Sequence, residues 1–285
     1  MLNTFTPYPT LAPVADGNAV FRLLQRLWVG DPEATTPEED PALPLSPIAE
    51  TVRMLDAMAC SGYQCYTVID MLTQQYLYLS PNQAQLTGCP LEEVYAGGMC
   101  WLFNRIHPDD LAPLVEINEA KWGFYQSLPE AERPHFRANF DFRARNADGR
   151  YRRVQQQSLC LRHTPAGLPH IILAQLVDIT HLKPSVLPEG HEKPALLLTI
   201  HTGGPDRLVL QCSPQGSMRR TQPLLSAREQ QVLARLDLGL SSRAIAEELG
   251  TSAATVDTQR RQMLRKTGTI DTTALVSYAR LLGWL

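Results

Sequence analysis

Three small or apolar residues near the C-terminal end constrain the fold more than any other feature of this chain. They are Ala246, Gly250 and Val256, and they lie where two runs with helical spacing meet. A small alanine lets two helices approach closely, a glycine accepts the left-handed backbone of a sharp turn, and a valine fills the crossing point. Ser226 is a good cap for the helix that precedes them. This spacing predicts a helix–turn–helix unit.

The last helix of this unit is predicted to have two distinct faces. Val256, Met263 and Leu264 point inward, and the opposite face carries polar side chains. Such an outer face enters the major groove of DNA, while side chains at its edges contact phosphates. The candidates for base contacts are Asp257, Thr258 and Arg261. The candidates for phosphate contacts are Arg243, Thr255, Arg265 and Lys266.

The charge of the whole chain limits how DNA can be bound. The chain has 285 residues and a formal net charge of −3. This balance argues against broad attraction to a polyanion, so contacts with nucleic acid must come from a local patch. Arg261 is the best candidate for a guanine contact, because its guanidinium matches the two acceptors of that base.

The C-terminal segment resembles a known family. The stretches LSAREQQVL, GLSSRAIAEELGTS, TVDTQRRQMLRKTG and TALVSYA have the order and spacing of the LuxR-type (GerE-like) DNA-binding domain, over residues 224 to 285. The resemblance implies dimers that read two half-sites. It also implies that the last helix, residues 272 to 282, is a dimerisation surface, with Leu275, Tyr278 and Leu282 as candidates.

Asp257 and Gln259 depart from this family, whose members often carry Lys and His at these positions. Loss of a cation weakens the nonspecific attraction to phosphates. A carboxylate accepts a hydrogen bond from the amino group of cytosine, so we hypothesise that Asp257 supplies sequence preference and not affinity. The alternative is a surface ion pair with Arg261, four residues further along the helix. Both interpretations fit the sequence.

Residues 62 to 183 show strand patterns on either side of helical ones. The runs YTVID and QYLYLS predict a β-hairpin, and helical stretches follow. Strand patterns then return in HFRANFDFRARN, RYRRVQQQSLCLRH and HIILAQLVDIT, with Phe136, Phe140 and Phe142 on the core side. Two strands, helices and three strands predict an α+β sheet domain.

The same residues resemble a PAS sensor domain. The stretches YLYLSPNQAQLTGCPLEEV, IHPDDL, FRARNADGRYRRV and LVDITHLK have the order of that family. The resemblance implies a five-stranded antiparallel sheet that cups a small pocket or forms a dimer surface. The candidate pocket residues are Tyr66, Tyr78, Trp101, Phe103 and Phe140, with a packed aromatic core as the alternative. The motif of flavin-adduct PAS domains is absent, so no cofactor is predicted, and the ligand of such a pocket is unknown.

Segments rich in proline divide the chain into four predicted parts. These are N-terminal helices with an acidic linker (1–61), a PAS-like sensory and dimerisation domain (62–183), a Pro-rich linker (184–222) and a helix–turn–helix domain (223–285). The linker includes a predicted hairpin over 195–211, which either extends the sheet or meets a partner. The predicted fold class is therefore an α+β PAS-like antiparallel sheet domain followed by an all-α helix–turn–helix domain.

The remaining side chains predict neither an enzyme nor a metal protein. The six cysteines form no CxxC pair and the histidines lack ligand spacing. We find no nucleophile with a matching base, so no catalytic or metal-binding residue is predicted. The N-terminus lacks the features of a signal peptide, and no apolar run approaches the roughly 20 residues of a spanning helix, which predicts a cytoplasmic protein without membrane partners.

These patterns together predict a sequence-specific DNA-binding transcription regulator. It is expected to bind double-stranded DNA as a homodimer, and its PAS-like domain is expected to sense a small molecule or a protein and to control the dimer arrangement. The alternative is a protein-interaction module whose helix–turn–helix is masked or controlled by a partner protein.

Overall fold

The computed structural model describes residues 16–29, 46–59, 64–164, 167–183, 196–202, 208–212, 218–220 and 224–285. The predicted acidic linker, much of the Pro-rich linker and the turn of the predicted hairpin lie outside these residues. The helices are α1 (Gly17–Val29), α2 (Ser46–Ala59), α3 (Gln83–Thr87), α4 (Leu91–Phe103), α5 (Pro108–Ser127), α6 (Ala227–Asp237), α7 (Ser242–Leu249), α8 (Ala253–Thr267) and α9 (Thr272–Leu281). The strands are β1 (Gln64–Asp70), β2 (Gln75–Leu79), β3 (Phe136–Arg145), β4 (Tyr151–His163), β5 (Pro169–Asp178), β6 (Leu196–Thr202), β7 (Leu208–Cys212) and β8 (Met218–Arg220).

The strands form one antiparallel sheet. Within the described residues its order is β2-β1-β5-β4-β3-β6-β7-β8. The part from β2 to β3 is the five-stranded antiparallel sheet that the PAS resemblance implied, so the α+β prediction is confirmed. The predicted hairpin is formed by β6 and β7, and β6 pairs with β3. The hairpin was predicted either to extend the sheet or to meet a partner, and in the structure it extends the sheet.

The main core lies between one face of this sheet and the helices α1, α4 and α5. Phe136, Phe140 and Phe142 point into it from β3 and are all buried, as their spacing predicted. A smaller cluster brings Leu55 of α2 together with Tyr66 and Tyr78. Because neighbouring strand residues point to opposite faces, a single strand such as β1 contributes to both clusters.

The stretch HPDDL begins α5 and ties it to the sheet. The Nδ1 atom of His107 accepts a hydrogen bond from the backbone N–H of Asp109, which caps the helix. Asp110 is buried, and its carboxylate accepts from the backbone N–H of Arg143 at 2.7 Å and from Nη2 of the same residue at 2.6 Å. These acidic side chains therefore serve the junction between helix and sheet.

The helices α6 to α9 form a separate all-α core, as predicted. Val232, Leu233, Ile245, Val256 and Met263 are each no more than 1% exposed in its centre. Among the residues that the structure describes, no helix has both the length and the apolar character to cross a membrane. Over the same residues, no group of three His, Cys, Asp or Glu side chains is arranged to hold a metal ion.

Candidate nucleic-acid interface and ligand cavity

The turn between α7 and α8 has the geometry of a helix–turn–helix. Gly250 follows α7 with φ at +60°, the left-handed conformation that glycine adopts without strain. The backbone N–H of Thr251 donates to the carbonyl of Ala246 at 2.9 Å and closes the turn. Ala246 and Val256 are buried where the two helices cross. These residues therefore form the helix–turn–helix that their spacing in the sequence predicted.

The outer face of α8 is open. Thr258, Arg261 and Arg265 are all exposed. The Thr258 hydroxyl donates to the carbonyl of Ala254 at 2.9 Å, and Nε of Arg261 lies 3.4 Å from the carbonyl of Asp257. Two guanidinium groups on one exposed helix face suit a guanine edge or a phosphate in a major groove.

Asp257 is held by neighbours other than the expected Arg261. Its Oδ1 accepts from the Ser242 hydroxyl at 2.7 Å and from Nη1 of Arg260 at 3.3 Å. The guanidinium of Arg260 also donates to the Thr272 hydroxyl, with Nη2 at 2.6 Å. Arg260 thus joins α7, α8 and α9, and the sequence did not indicate this role. The surface ion pair considered for Asp257 is made three residues away and not four.

The candidates for phosphate contacts around α8 differ in their exposure and in the contacts that they already make. Arg243 is 89% exposed and lies 3.5 Å from Glu247. Thr255 is exposed, and its hydroxyl lies 2.8 Å from that of Ser252 at the start of α8. By contrast, the ammonium of Lys266 lies 2.7 Å from a carboxylate oxygen of the buried Glu229. A contact between Lys266 and a phosphate stays a prediction, and it competes with this ion pair.

The dimerisation candidates on α9 are covered by the chain itself. Leu275 is buried in the core of the C-terminal helices. Tyr278 and Leu282, at 1% and 2% exposure, pack against Ile179 and Leu182 at the end of the sheet domain. A dimer built on these side chains requires the two domains to separate, so their role in dimerisation stays a prediction.

A buried charged network lies at this junction. On β3 the carboxylate of Asp141 binds Nη1 of Arg153 at 2.5 Å and Nζ of Lys183 at 2.9 Å. The Tyr278 hydroxyl of α9 lies 3.5 Å from the same carboxylate, and the Lys183 ammonium lies 5.4 Å from the centre of the Tyr278 ring. Burial acts to raise the pKa of Asp141, but the Lys183 and Arg153 cations hold it below its usual range. Burial lowers the pKa of Lys183 to about 8.

A cavity of about 90 Å³ lies between the sheet and the helices α4 and α5. Of the five predicted pocket residues, Phe103 and Phe140 line it. Most of the remaining wall is aliphatic or aromatic, with contributions from β1 to β5. Its position under the curved sheet is the one that the PAS resemblance implied.

The other three predicted pocket residues lie elsewhere. Tyr66 and Tyr78 pack beside Leu55 in the cluster beneath α2, because the alternation of strand side chains directs them to the opposite face. Trp101 lines a smaller recess on the other side of α4, where its ring stacks with the guanidinium of Arg105 at 4.4 Å. The sequence identified the aromatic residues of this region but not the faces they occupy.

Two residues of α5 that the sequence reasoning missed also line the cavity. They are Lys121 and Tyr125, from the stretch EAKWGFY. The available signal was a lysine one residue before a tryptophan in a helix that must pack on the sheet. A lysine in a helical stretch is usually solvated, so this signal was weak.

One family model and several solved structures match the chain. The model for the luxR family of bacterial regulatory proteins (GerE) matches residues 223–279. A structure of the Vibrio cholerae VqmA dimer without target DNA is 17% identical, with a TM-score of 0.28, over 85% of this chain and 89% of that chain. The phage VqmA–DPO complex is 14% identical, with a TM-score of 0.27, over 84% and 88%.

A third solved structure covers a smaller share of the chain. The Drosophila melanogaster Cycle PAS-B domain with bound glycerol is 16% identical, with a TM-score of 0.31, over 40% of this chain and 98% of that chain. No curated protein sequence matches this chain. The assignment therefore rests on the family match and on the geometry of α6 to α9. Residues 223–279 therefore form a LuxR-type helix–turn–helix domain, which follows a PAS-like antiparallel sheet domain.

Proposed function

We propose that the chain reads duplex DNA directly through the outer face of α8, and that its PAS-like domain senses a small ligand or a protein and controls the dimer arrangement. The observation that supports this proposal is that Arg261 and Arg265 are exposed. The sheet domain packs against a different part of the helix–turn–helix domain, at α9. DNA binding thus needs no movement of the recognition face. We place this activity in the cytoplasm, with a homodimer as the DNA-bound form.

Control of the dimer is proposed from the covered state of α9. Tyr278 and Leu282 are the apolar side chains that a dimer would use, and the sheet domain occupies them. A signal that weakens the docking of the two domains would release this face, and the population of dimers would increase. The proposed units are the predicted ones, 62–183 for sensing and 223–285 for DNA binding.

Selection of duplexes from a randomised library by the full-length chain tests the proposal. We expect one enriched sequence with two related half-sites, and an affinity that falls linearly with the logarithm of salt concentration. Arg265→Ala should weaken binding to all sequences and reduce the salt slope by about 1. Arg150→Ala removes the same charge from an exposed turn of the sheet domain and should leave binding unchanged.

Two results would decide against direct reading. A folded chain without salt-dependent affinity for any duplex contradicts it. Specific binding that appears only after a second protein is added supports the alternative, in which the helix–turn–helix is controlled by a partner.

A further inference from the structure

The cavity under α5 holds polar groups whose chemistry points to one class of ligand. Tyr125 is 1% exposed and lines the cavity, and its hydroxyl has no hydrogen-bond partner among the described residues. A buried hydroxyl without a partner is costly, and such groups are usually satisfied by a water or a ligand. This hydroxyl is therefore an unused donor in a mainly apolar wall.

Lys121 is the second polar group. It also lines the cavity, its ammonium lies 5.4 Å from the centre of the Phe140 ring, and no ion pair to it is found within the described ranges. Burial lowers the pKa of Lys121 to about 8, so the group is still mostly protonated at neutral pH. A partly buried cation beside an aromatic ring is incompletely compensated, and an anion would compensate it better than a neutral molecule.

The shape of the cavity limits the rest of the ligand. Its volume of about 90 Å³ is enough for a small molecule, since a single water needs roughly 10–15 Å³. Its wall includes Trp122 stacked on Tyr125, with ring centres 5.6 Å apart, and Phe136 edge-on to Tyr125 at 5.2 Å. Aromatic walls of this kind favour a flat ring.

We propose that this cavity binds a small aromatic or heteroaromatic acid of a single ring, with its anionic oxygen paired to Lys121 and Tyr125 serving as a hydrogen-bond donor. The inference rests on the proposed ligand-sensing function and specifies the ligand of that site. It assigns charge recognition to Lys121, which belongs to neither the DNA-binding face nor the buried network at α9.

Benzoate and benzamide, of similar size and shape but different charge, form the test. Binding to the full-length chain is measured by calorimetry and by intrinsic tryptophan fluorescence, to which Trp122 in the cavity wall contributes. We expect benzoate to bind at least about tenfold more tightly than benzamide, since a hydrogen bond to a charged group is stronger than a neutral one. Lys121→Met should remove this preference and leave benzamide affinity unchanged. Tyr125→Phe should weaken benzoate by a smaller factor, about threefold to tenfold.

The ratio of the two affinities is the deciding quantity, because a general packing defect weakens both ligands together. Equal binding of benzoate and benzamide, a preference that survives Lys121→Met, or no benzoate binding at all would overturn the inference. Duplex binding is measured on the same preparation. A chain that binds DNA but not benzoate refutes the ligand assignment alone, whereas a folded chain that binds no duplex refutes the proposed function.

Discussion

Two helices of the C-terminal domain carry side chains that the sequence assigns to contacts with other molecules, and their surroundings differ. On α8, Arg261 and Arg265 are exposed. On α9, Tyr278 and Leu282 are buried by the sheet domain. A cationic face is stable in water, whereas an apolar face gains free energy from any complementary apolar surface. The proposed DNA-reading face is thus independent of domain docking, and the proposed dimerisation face depends on it.

The largest effect is expected at the junction that covers α9. Asp141→Asn leaves the Arg153 and Lys183 cations buried together without their carboxylate. Loss of one partner from a buried ion pair costs about 3–5 kcal/mol of unfolding free energy. Urea denaturation of the full-length chain measures this loss. The control is Asp148→Asn, an exposed turn position, for which a change within about 0.5 kcal/mol is expected. Equal losses of unfolding free energy for the two variants would show that the network does not stabilise the junction.

The same carboxylate gives a pH dependence with a definite sign. The pKa of Asp141 is held below its usual range by Lys183 and Arg153, so the folded chain binds fewer protons than the unfolded chain in mildly acidic solution. Its contribution is complete above its ordinary pKa of about 3.9 and is lost as pH falls through the lowered value. Asp141→Asn should flatten this part of the acid stability curve.

Leu182→Ala is expected to expose α9 by weakening the apolar contact between the two domains. A buried Leu→Ala change costs about 2–5 kcal/mol, and part of this cost falls on docking. Freed from the sheet domain, Tyr278 and Leu282 should increase self-association, which sedimentation velocity measures over a range of protein concentrations. Leu161→Ala, at an exposed position of β4, is the matched control. A strictly monomeric Leu182→Ala chain would contradict the assignment of α9 to dimerisation.

On the open face, Arg261→Ala should cost about 1–3 kcal/mol of DNA-binding free energy, and the loss should be confined to sequences that carry the contacted base. Fluorescence anisotropy with the selected duplex and its single-base variants measures it. The neighbouring Arg260→Ala should instead lower the stability of the helical domain, because Arg260 joins α7, α8 and α9. A uniform loss over all duplexes would reassign Arg261 to phosphate binding.

An effect no larger than that of Arg261→Ala is expected for Asp257→Ala. If its carboxylate reads a cytosine, the enriched base at one position of each half-site changes by about 1–3 kcal/mol of preference, while nonspecific affinity rises because a negative charge is lost. If it only holds Ser242 and Arg260, the selected sequence stays the same and unfolding free energy falls by about 1 kcal/mol. An unchanged selected sequence ends the base-reading hypothesis.

Much of the fold could be predicted because its signals are local. The turn glycine Gly250, the helix cap at Ser226 and the alternation of Phe136, Phe140 and Phe142 each depend on residues that are close in sequence. The site was less predictable, because its geometry joins distant segments. Lys266 is predicted to contact a phosphate, and its ion pair with Glu229, 37 residues earlier in the chain, was not visible in the local pattern.

The lining of the cavity also depends on contacts between segments that are distant in sequence. Of the five aromatic residues predicted for its wall, Phe103 and Phe140 line it. The face that each one occupies depends on strand pairing and on how helices cross the sheet. Tyr66 and Tyr78 thus belong to the cluster beneath α2, while Lys121 and Tyr125 reach the cavity from α5. No spacing rule in α5 distinguishes a lysine that faces a cavity from one that faces water.

The sequence by itself determined a helix–turn–helix with a cationic outer face and an antiparallel sheet domain before it, because capping, turn chemistry and periodicity act over a few residues. Only the tertiary structure decided that Tyr278 of α9 lies against the sheet domain and near the Asp141 carboxylate. That contact joins residues 137 positions apart, and it forms because burial of apolar surface depends on the shapes that two finished domains present to each other.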